Sequence, residues 1–67
     1  MRVERGHKPA WCTDLELAER YRVSRITIWR WARDGHLPKP VRLSPGATRW
    51  ALDEIEEHDA RLKARRR

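Results

Sequence analysis

Two helix starts lie so close together in this sequence that the helices must be joined by a very short turn. Thr13, with Glu16 three residues later, forms a capping-box pattern that predicts a first helix of about two turns. Ser24 is a favourable N-cap for a second helix, which Gly35 ends at the C′ position. Only two residues separate Tyr21, the last apolar residue of the first helix, from Ser24. Two short amphipathic helices joined this tightly must cross at a steep angle, which predicts a helix-turn-helix.

A β-hairpin is predicted after the second helix. The segments Val41–Leu43 and Thr48–Trp50 alternate at period two, and the Ser-Pro-Gly-Ala between them contains Pro-Gly, which suits a type II turn. A four-residue loop would give the pairs Val41–Trp50, Arg42–Arg49 and Leu43–Thr48. Arg42 and Arg49 would then share one face, where directly opposed like charges cost up to about 1 kcal/mol. Either an anion binds between these two arginines or both side chains splay into solvent.

A third helix is predicted to start near Asp53, with Asp53 itself as the N-cap. Ile55 and Leu62 are seven residues apart and can pack on the same side of this helix. His58 and Asp59 are poor core residues, so the helix should be loosely attached toward its end.

These elements together predict a mainly α fold with a small β-hairpin, arranged as a winged helix-turn-helix with a two-stranded wing and a third helix. The predicted organisation is a flexible arm over residues 1–10, the winged domain over residues 11–62 and a basic tail over residues 63–67. A chain of 67 residues can bury only a small core. Because there is no Phe, the four Trp with Leu, Ile and Val should supply most of that core.

The charges of this chain are segregated along the sequence. The net charge is +6, but residues 20–49 alone contain eight Arg and Lys against one acid, Asp34, which is a balance of +7. Five acids follow within residues 53–59, and five basic residues lie within residues 61–67. Charge present only for solubility would more naturally intersperse both signs, so this pattern indicates one face turned toward a polyanion.

Other classes of function have little support in the sequence. Cys12 cannot form an internal disulfide, and the three His show no metal-ligand spacing with it, so we expect no metal or other cofactor. No Ser/His/Asp, Cys/His or paired-carboxylate arrangement stands out, so we expect no enzyme. No apolar run approaches the roughly 20 residues of a membrane span, and we expect no membrane partner.

The side chains of the second helix fall on two sides according to their angular positions around the helix axis. Ile28 and Trp31 define its buried side, whereas Ile26, Arg30 and Arg33 lie on the opposite side. The residues near its N-terminal end are those that approach base edges when a helix-turn-helix docks on duplex DNA. The predicted DNA contacts from this helix are Ser24, Arg25, Ile26, Thr27, Trp29 and Arg30. The predicted DNA contacts from the wing are Lys39, Arg42 and Arg49.

Roles follow from the chemistry of these side chains. Arg25 and Arg30 can each donate two hydrogen bonds to guanine O6 and N7, and Ile26 can meet a thymine methyl group. The predicted phosphate donors are Ser24, Thr27 and the indole N–H of Trp29. The wing residues would contact the DNA backbone or the minor groove. Packing of Trp29 and Ile26 against the wing or a neighbouring chain is an equally open alternative.

Four segments carry a resemblance to a known family: TDLELAERYRVSRITIWRW, PKPVRL, ATRW and EIE. Together they resemble the AlpA-like and excisionase-type small winged helix-turn-helix proteins of phages and mobile elements, which are relatives of the MerR-type DNA-binding domain. The resemblance implies a recognition helix over Ser24–Arg33, a DNA-contacting wing over Lys39–Trp50 and no catalysis. The chain departs from the family at Arg22, where relatives commonly have Gly, and at residues 57–59, where relatives tend to have apolar side chains.

The resemblance implies a sequence-specific, architectural DNA-binding protein of excisionase type, a recombination directionality factor. Such a protein binds adjacent sites cooperatively and bends DNA to steer a phage integrase toward excision. An alternative within the same class is an AlpA-like transcriptional regulator that binds near a promoter. The expected partners are double-stranded DNA, further copies of the chain on DNA and an integrase of the tyrosine recombinase type, in the cytoplasm of a bacterial host at its nucleoid. An alternative of another class is a protein-interaction module that docks a partner through Trp29 and Ile26.

Overall fold

The computed structural model describes residues 10–66, which form three helices and three strands. The helices are α1 (Asp14–Tyr21), α2 (Arg25–Asp34) and α3 (Leu52–Arg65). The strands are β1 (Trp11–Cys12), β2 (Val41–Ser44) and β3 (Ala47–Ala51). The predicted helix-turn-helix, wing and third helix are confirmed, whereas the predicted arm lies outside the described residues except for Ala10. None of the three helices in this part of the chain is long and apolar enough to cross a membrane.

The two helix starts form as the sequence predicts. The Thr13 backbone N–H donates to Glu16 Oε1 at 2.8 Å, and the Glu16 N–H donates to Thr13 Oγ1 at 3.0 Å, which completes the capping box. Ser24 Oγ accepts from the Thr27 N–H at 3.1 Å at the start of α2. Gly35 ends α2 with a φ of 86°, in the left-handed region that glycine adopts at low cost.

The turn between α1 and α2 forces a non-glycine residue into the left-handed region. Arg22 has a φ of 59° and a ψ of 47°, and its backbone N–H donates to the Ala18 carbonyl. The Val23 N–H donates to the same carbonyl at 3.0 Å. The Arg22 side chain is exposed and makes no hydrogen bond or ion pair with another residue of the described segment. Its left-handed backbone therefore costs stability that no side-chain contact offsets.

The wing belongs to a three-stranded antiparallel sheet rather than to the predicted two-stranded ribbon. The strand order is β1-β3-β2, so β3 is the central strand. In β1, Trp11 pairs with Ala51 and Cys12 pairs with Trp50. A strand of two residues has no periodicity to recognise, which is why the sequence did not predict β1.

The hairpin register differs from the predicted one. Ser44 pairs with Ala47 around Pro45-Gly46, and Gly46 has the positive φ of 82° that a type II turn needs at its third position. A bulge between Arg42 and Ser44 then shifts the register, so that the pairs are Val41–Arg49 and Arg42–Thr48. Type II turns do not match the twist of the two strands that they join, and a bulge restores that match.

The predicted opposition of the two wing arginines is therefore wrong. Cross-strand partners share a face, and neighbouring residues on one strand alternate between faces. Arg49 lies on the face of Val41, whereas Arg42 lies with Thr48 on the other face. The opposed pair between which the sequence left anion binding open therefore does not form.

Aliphatic side chains and one tryptophan form the core. The buried residues are Cys12, Leu17, Ala18, Ile28, Ala32, Leu37, Trp50 and Ile55. Trp50 is fully buried, and its indole N–H donates to the Pro38 carbonyl at 2.8 Å. Trp31 is only partly buried, and Trp11 and Trp29 are exposed. The prediction that all four tryptophans supply the core is wrong, since a core this small encloses a single indole.

Helix α3 begins one residue before the predicted cap. The central strand runs directly into the helix, so Ala51 is the N-cap and makes no side-chain capping bond, and the prediction of Asp53 as N-cap is wrong. The Leu52 N–H donates to the Ala10 carbonyl at 3.0 Å, an extension of the pairing between β1 and β3. Ile55 is buried, whereas Leu62 is exposed and does not join it in the core.

Asp59 attaches α3 to α1 at a position where the sequence predicted weak packing. Its Oδ1 accepts from the Tyr21 hydroxyl at 2.6 Å, and its Oδ2 contacts Arg20 Nε at 2.9 Å and Nη2 at 2.8 Å. Burial raises the pKa of Asp59, but the hydrogen bonds from Tyr21 and Arg20 and the charge of Arg20 lower it by more. All residues from Ala60 to Arg66 are exposed, so Asp59 is the last strong anchor of the helix.

We expect Arg22→Gly to raise the free energy of unfolding by about 1 kcal/mol, because glycine adopts the left-handed conformation without a Cβ clash. Urea denaturation followed by circular dichroism measures this change. Arg22→Ala is the matched control, since it removes the same side chain but keeps the Cβ, and it should give no such gain. Equal stabilisation by both variants would contradict the assignment of strain to the Arg22 backbone.

We expect Asp59→Asn to lower the free energy of unfolding by about 1 kcal/mol at neutral pH, a modest value because solvent screens the partly exposed Arg20. Folding depresses the pKa of this carboxyl, so its contribution is present above the unfolded pKa and is lost as pH falls through the folded pKa. The difference between wild type and variant should therefore shrink as pH falls from about 5 toward 2. Urea denaturation across this pH range is the measurement.

Glu57→Gln is the control for this pH series, because Glu57 forms only a 3.9 Å surface pair with Arg61 one turn along the helix. It should change stability little at any pH. A difference between wild type and Asp59→Asn that stays constant down to about pH 2 would show that the Asp59 charge is not what anchors α3.

Candidate nucleic-acid interface

The second helix of the helix-turn-helix presents a basic and apolar strip to solvent. Ile28 and Ala32 are buried beneath α2, and Trp31 packs edge-on against Tyr21 with ring centroids 6.1 Å apart. On the opposite side, Ile26 is 71% exposed, and Arg30 is exposed as well. The division between buried and outward residues thus follows the helical angles expected from the sequence.

Two hydroxyl groups lie at the N-terminal end of α2. Ser24 Oγ and Thr27 Oγ1 are 3.0 Å apart and hydrogen-bonded to each other, in addition to the capping bond to the Thr27 N–H. Both hydroxyls are thus held at the start of the helix, in the position from which the sequence predicts phosphate contacts.

The acidic side chain of Asp14 joins α1 to the flank of α2, a contact that was not predicted. One oxygen, Oδ2, accepts from Arg25 Nε and Nη2 at 3.1 Å each and from the Trp29 indole N–H at 2.9 Å. Burial raises the pKa of Asp14, but the hydrogen bonds from Trp29 and Arg25 lower it by more, so the group stays ionised. The i, i+4 spacing of Arg25 and Trp29 was a usable signal, since it places both on one flank.

Trp29 also packs against the wing. Its ring centroid lies 4.9 Å from that of Trp50, with the two ring planes tilted by 57°. Its indole N–H is donated to Asp14, so in this structure it does not point to solvent as a free phosphate donor. The structure thus shows Trp29 in contact with the wing while 42% of it stays exposed, and Ile26 is 71% exposed.

The three predicted wing contacts, Lys39, Arg42 and Arg49, differ in exposure and in their partners. All residues from Val41 to Gly46 are exposed. Lys39 and Arg42 make no hydrogen bond or ion pair with another residue between 10 and 66. Arg49 is half-buried, and its Nη1 donates to the neighbouring Thr48 carbonyl at 2.9 Å. The structure therefore separates Arg49 from the two freely exposed cations of the wing.

Three of the arginines near the helix-turn-helix are neutralised by nearby acids. Arg20 is held by Asp59, Arg25 by Asp14 and Arg33 by Asp34 at 2.9 Å. Arg30 makes no ion pair or hydrogen bond with another described residue, and neither do the two exposed cations of the wing. Cations without a partner among the described residues therefore lie on the outward strip of α2 and on the wing, and Trp29 of α2 contacts Trp50 of the central strand.

Between residues 10 and 66, no group of three His, Cys, Asp or Glu side chains is placed to hold a metal ion. The single Cys12 is buried in the core, and burial raises the pKa of its thiol. The arrangement is suited to binding an extended polyanion through exposed guanidinium groups.

Two helices joined by a short turn, an outward arginine strip on the second helix and a β-hairpin beside it define a winged helix-turn-helix, a class that binds duplex DNA through its second helix. Residues 16–62 match the family described as prophage CP4-57 regulatory protein (AlpA), and the chain belongs to this family. The matched region runs from α1 into the second half of α3. No curated protein and no solved structure matches the chain significantly. The chain is thus a small phage regulatory DNA-binding protein, of a family of DNA-binding regulators rather than enzymes.

Proposed function

We propose that this protein is a recombination directionality factor of excisionase type. It binds adjacent DNA sites cooperatively, bends the duplex and steers a phage integrase of the tyrosine recombinase type toward excision. The observation that carries the DNA-binding part is the outward strip of α2, in which Ile26 is 71% exposed beside the unpaired Arg30. An exposed isoleucine next to a free guanidinium suits a thymine methyl and a guanine edge in one major groove.

The size of the recognition helix supports cooperative binding. Helix α2 has 10 residues, which corresponds to a length of about 15 Å. A helix of this length reads few base pairs, and useful specificity then requires several copies on neighbouring sites. Self-association along DNA is therefore part of the proposal.

The charge distribution supports one docking orientation. The exposed acids of the first half of α3 are Asp53, Glu54 and Glu57. A phosphate backbone repels these carboxylates, so α3 faces away from the duplex while α2 and the wing face it. The acids of one copy are then free to meet the basic residues of the next copy, which would favour binding at adjacent sites.

The proposal gives each predicted contact residue a role. Arg30 and Arg25 read bases, and Ile26 meets a thymine methyl. Ser24 and Thr27 contact phosphate, and the wing residues Lys39, Arg42 and Arg49 contact the backbone or the minor groove. Trp29 acts through packing on the wing, because its N–H is donated to Asp14.

A second candidate is a transcriptional regulator that binds near a phage promoter. The description of the matched family as a regulatory protein favours this role. Both candidates use the same α2 strip and wing, and they differ in where the binding sites lie and how many there are.

We expect the purified protein to protect clustered direct repeats beside the attachment site of its own element in a nuclease footprint, since cooperative binding requires adjacent sites. The promoter DNA of the same element serves as the parallel template, and mixed-sequence duplex serves as the control for non-specific binding. Protection confined to a promoter would favour the transcriptional regulator. No protection on any template, with no salt-dependent affinity for duplex DNA, would contradict both roles.

We expect Arg30→Ala to weaken binding and relax sequence preference, whereas Arg42→Ala should weaken binding to all sequences alike and reduce the salt dependence of log K by about one. The reason is that Arg30 lies on the base-reading strip and Arg42 lies on the wing. Fluorescence anisotropy on preferred and mixed duplexes at several salt concentrations measures both effects. Arg33→Ala is the control, because Arg33 is already paired with Asp34. Identical behaviour of the Arg30 and Arg42 variants would refute the division between reading and positioning.

A further inference from the structure

Arg25 is the only arginine of α2 whose guanidinium is held by a residue of another helix, among the residues that the structure describes. Both contacts come from a single oxygen, Asp14 Oδ2, which lies 3.1 Å from Nε and 3.1 Å from Nη2. The Arg25 side chain is 63% exposed, whereas that of Asp14 is 18% exposed. The carboxylate thus holds the guanidinium from its inner side and leaves the outer part in solvent.

The contact leaves one edge of the guanidinium free. A guanidinium has five N–H donors in one plane, and Asp14 uses the donor on Nε and one of the two on Nη2. Of the remaining three donors, one on Nη1 and one on Nη2 lie side by side on the terminal edge of the group. That edge is a planar fork that matches the O6 and N7 acceptors of guanine.

Asp14 is itself held in place from the core. The Trp29 indole N–H donates to the same oxygen at 2.9 Å, and the Trp29 ring contacts the Trp50 ring, with centroids 4.9 Å apart and planes tilted by 57°. Trp50 is fully buried, and its own N–H is bound by the Pro38 carbonyl at 2.8 Å. A chain of contacts therefore runs from the buried indole to the exposed guanidinium, and it restricts the rotamers of a side chain that is otherwise flexible.

We propose that Asp14 is a specificity-determining positioning residue, which orients the terminal edge of Arg25 toward one guanine of the DNA site. This inference rests on the proposed sequence-specific DNA binding. A free arginine at this position would bind any nearby phosphate, whereas an arginine held on its inner edge is preorganised for a pair of coplanar acceptors. The carboxylate also repels phosphates, so it lowers the affinity for every sequence while it raises the discrimination between sequences.

The test is a selection of bound sequences from a random duplex library, carried out with the wild type, Arg25→Ala and Asp14→Ala. We expect the wild type to enrich guanine at one position that Arg25→Ala no longer enriches. Asp14→Ala should lose most of the enrichment at that same position, a loss of roughly tenfold in discrimination. Its affinity for mixed-sequence duplex should rise about threefold, because one acid near the phosphates is gone.

Two further variants separate positioning from other effects. Asp34→Ala removes an acid that is paired with its neighbour Arg33, so it should strengthen non-specific binding slightly and keep the guanine preference. Asp14→Asn keeps an acceptor oxygen of the same size at the start of α1, and it should fold even if Asp14→Ala does not. Its guanine enrichment should fall between those of the wild type and Arg25→Ala, with thermal unfolding measured for each variant.

Three outcomes would overturn the inference. If both Asp14 variants keep the full guanine enrichment and bind all sequences more tightly, Asp14 only repels DNA. If Arg25→Ala keeps the enrichment, Arg25 reads no base. A wild type that binds duplex DNA without enriching any sequence would overturn the proposed specific binding, and the positioning role with it.

Discussion

The fully buried indole of Trp50 joins parts of the molecule that would otherwise have little to hold them together. It lies on the central strand, and its N–H donates to the Pro38 carbonyl. The tilted ring of Trp29, on the second helix, packs against it. A domain of this size buries few residues, so a single large aromatic side chain supplies much of the contact between helices and sheet. The wing is consequently placed by the core of the protein and not by the hairpin alone.

This arrangement leaves different surroundings on the two flanks of α2. On one flank, Trp29 and Arg25 are tied to Asp14 of α1 and to the wing. On the other flank, Trp31 packs against Tyr21, whose hydroxyl is bound to Asp59 of α3. The strip between the flanks and the outer edge of the Arg25 guanidinium remain exposed to solvent. A recognition surface that is supported on both sides keeps its geometry better than one carried by a loop.

Features that depend on neighbouring residues alone could be predicted from the sequence, and features that depend on packing could not. The capping box at Thr13 and the glycine at the end of α2 are local signals, and both form as predicted. The hairpin turn is local too, but its register depends on a bulge that adjusts the strand twist. The contact between Asp14 and Arg25 spans 11 residues and depends on how the side chains of α1 and α2 pack together. No periodicity in the sequence encodes that packing.

The positive charge offered to DNA is smaller than the sequence suggests, and this bears on specificity. Residues 20–49 have a balance of +7, yet three of their arginines are paired with Asp14, Asp34 or Asp59. Unpaired cations attract every duplex equally, since phosphates carry no sequence information. A small protein that kept all eight basic residues free would gain affinity for all DNA and lose the margin by which it prefers one site. In the proposed docking, the pairing of Arg20, Arg25 and Arg33 with acids, while Arg30 stays exposed, shifts the remaining attraction toward contacts that can distinguish bases.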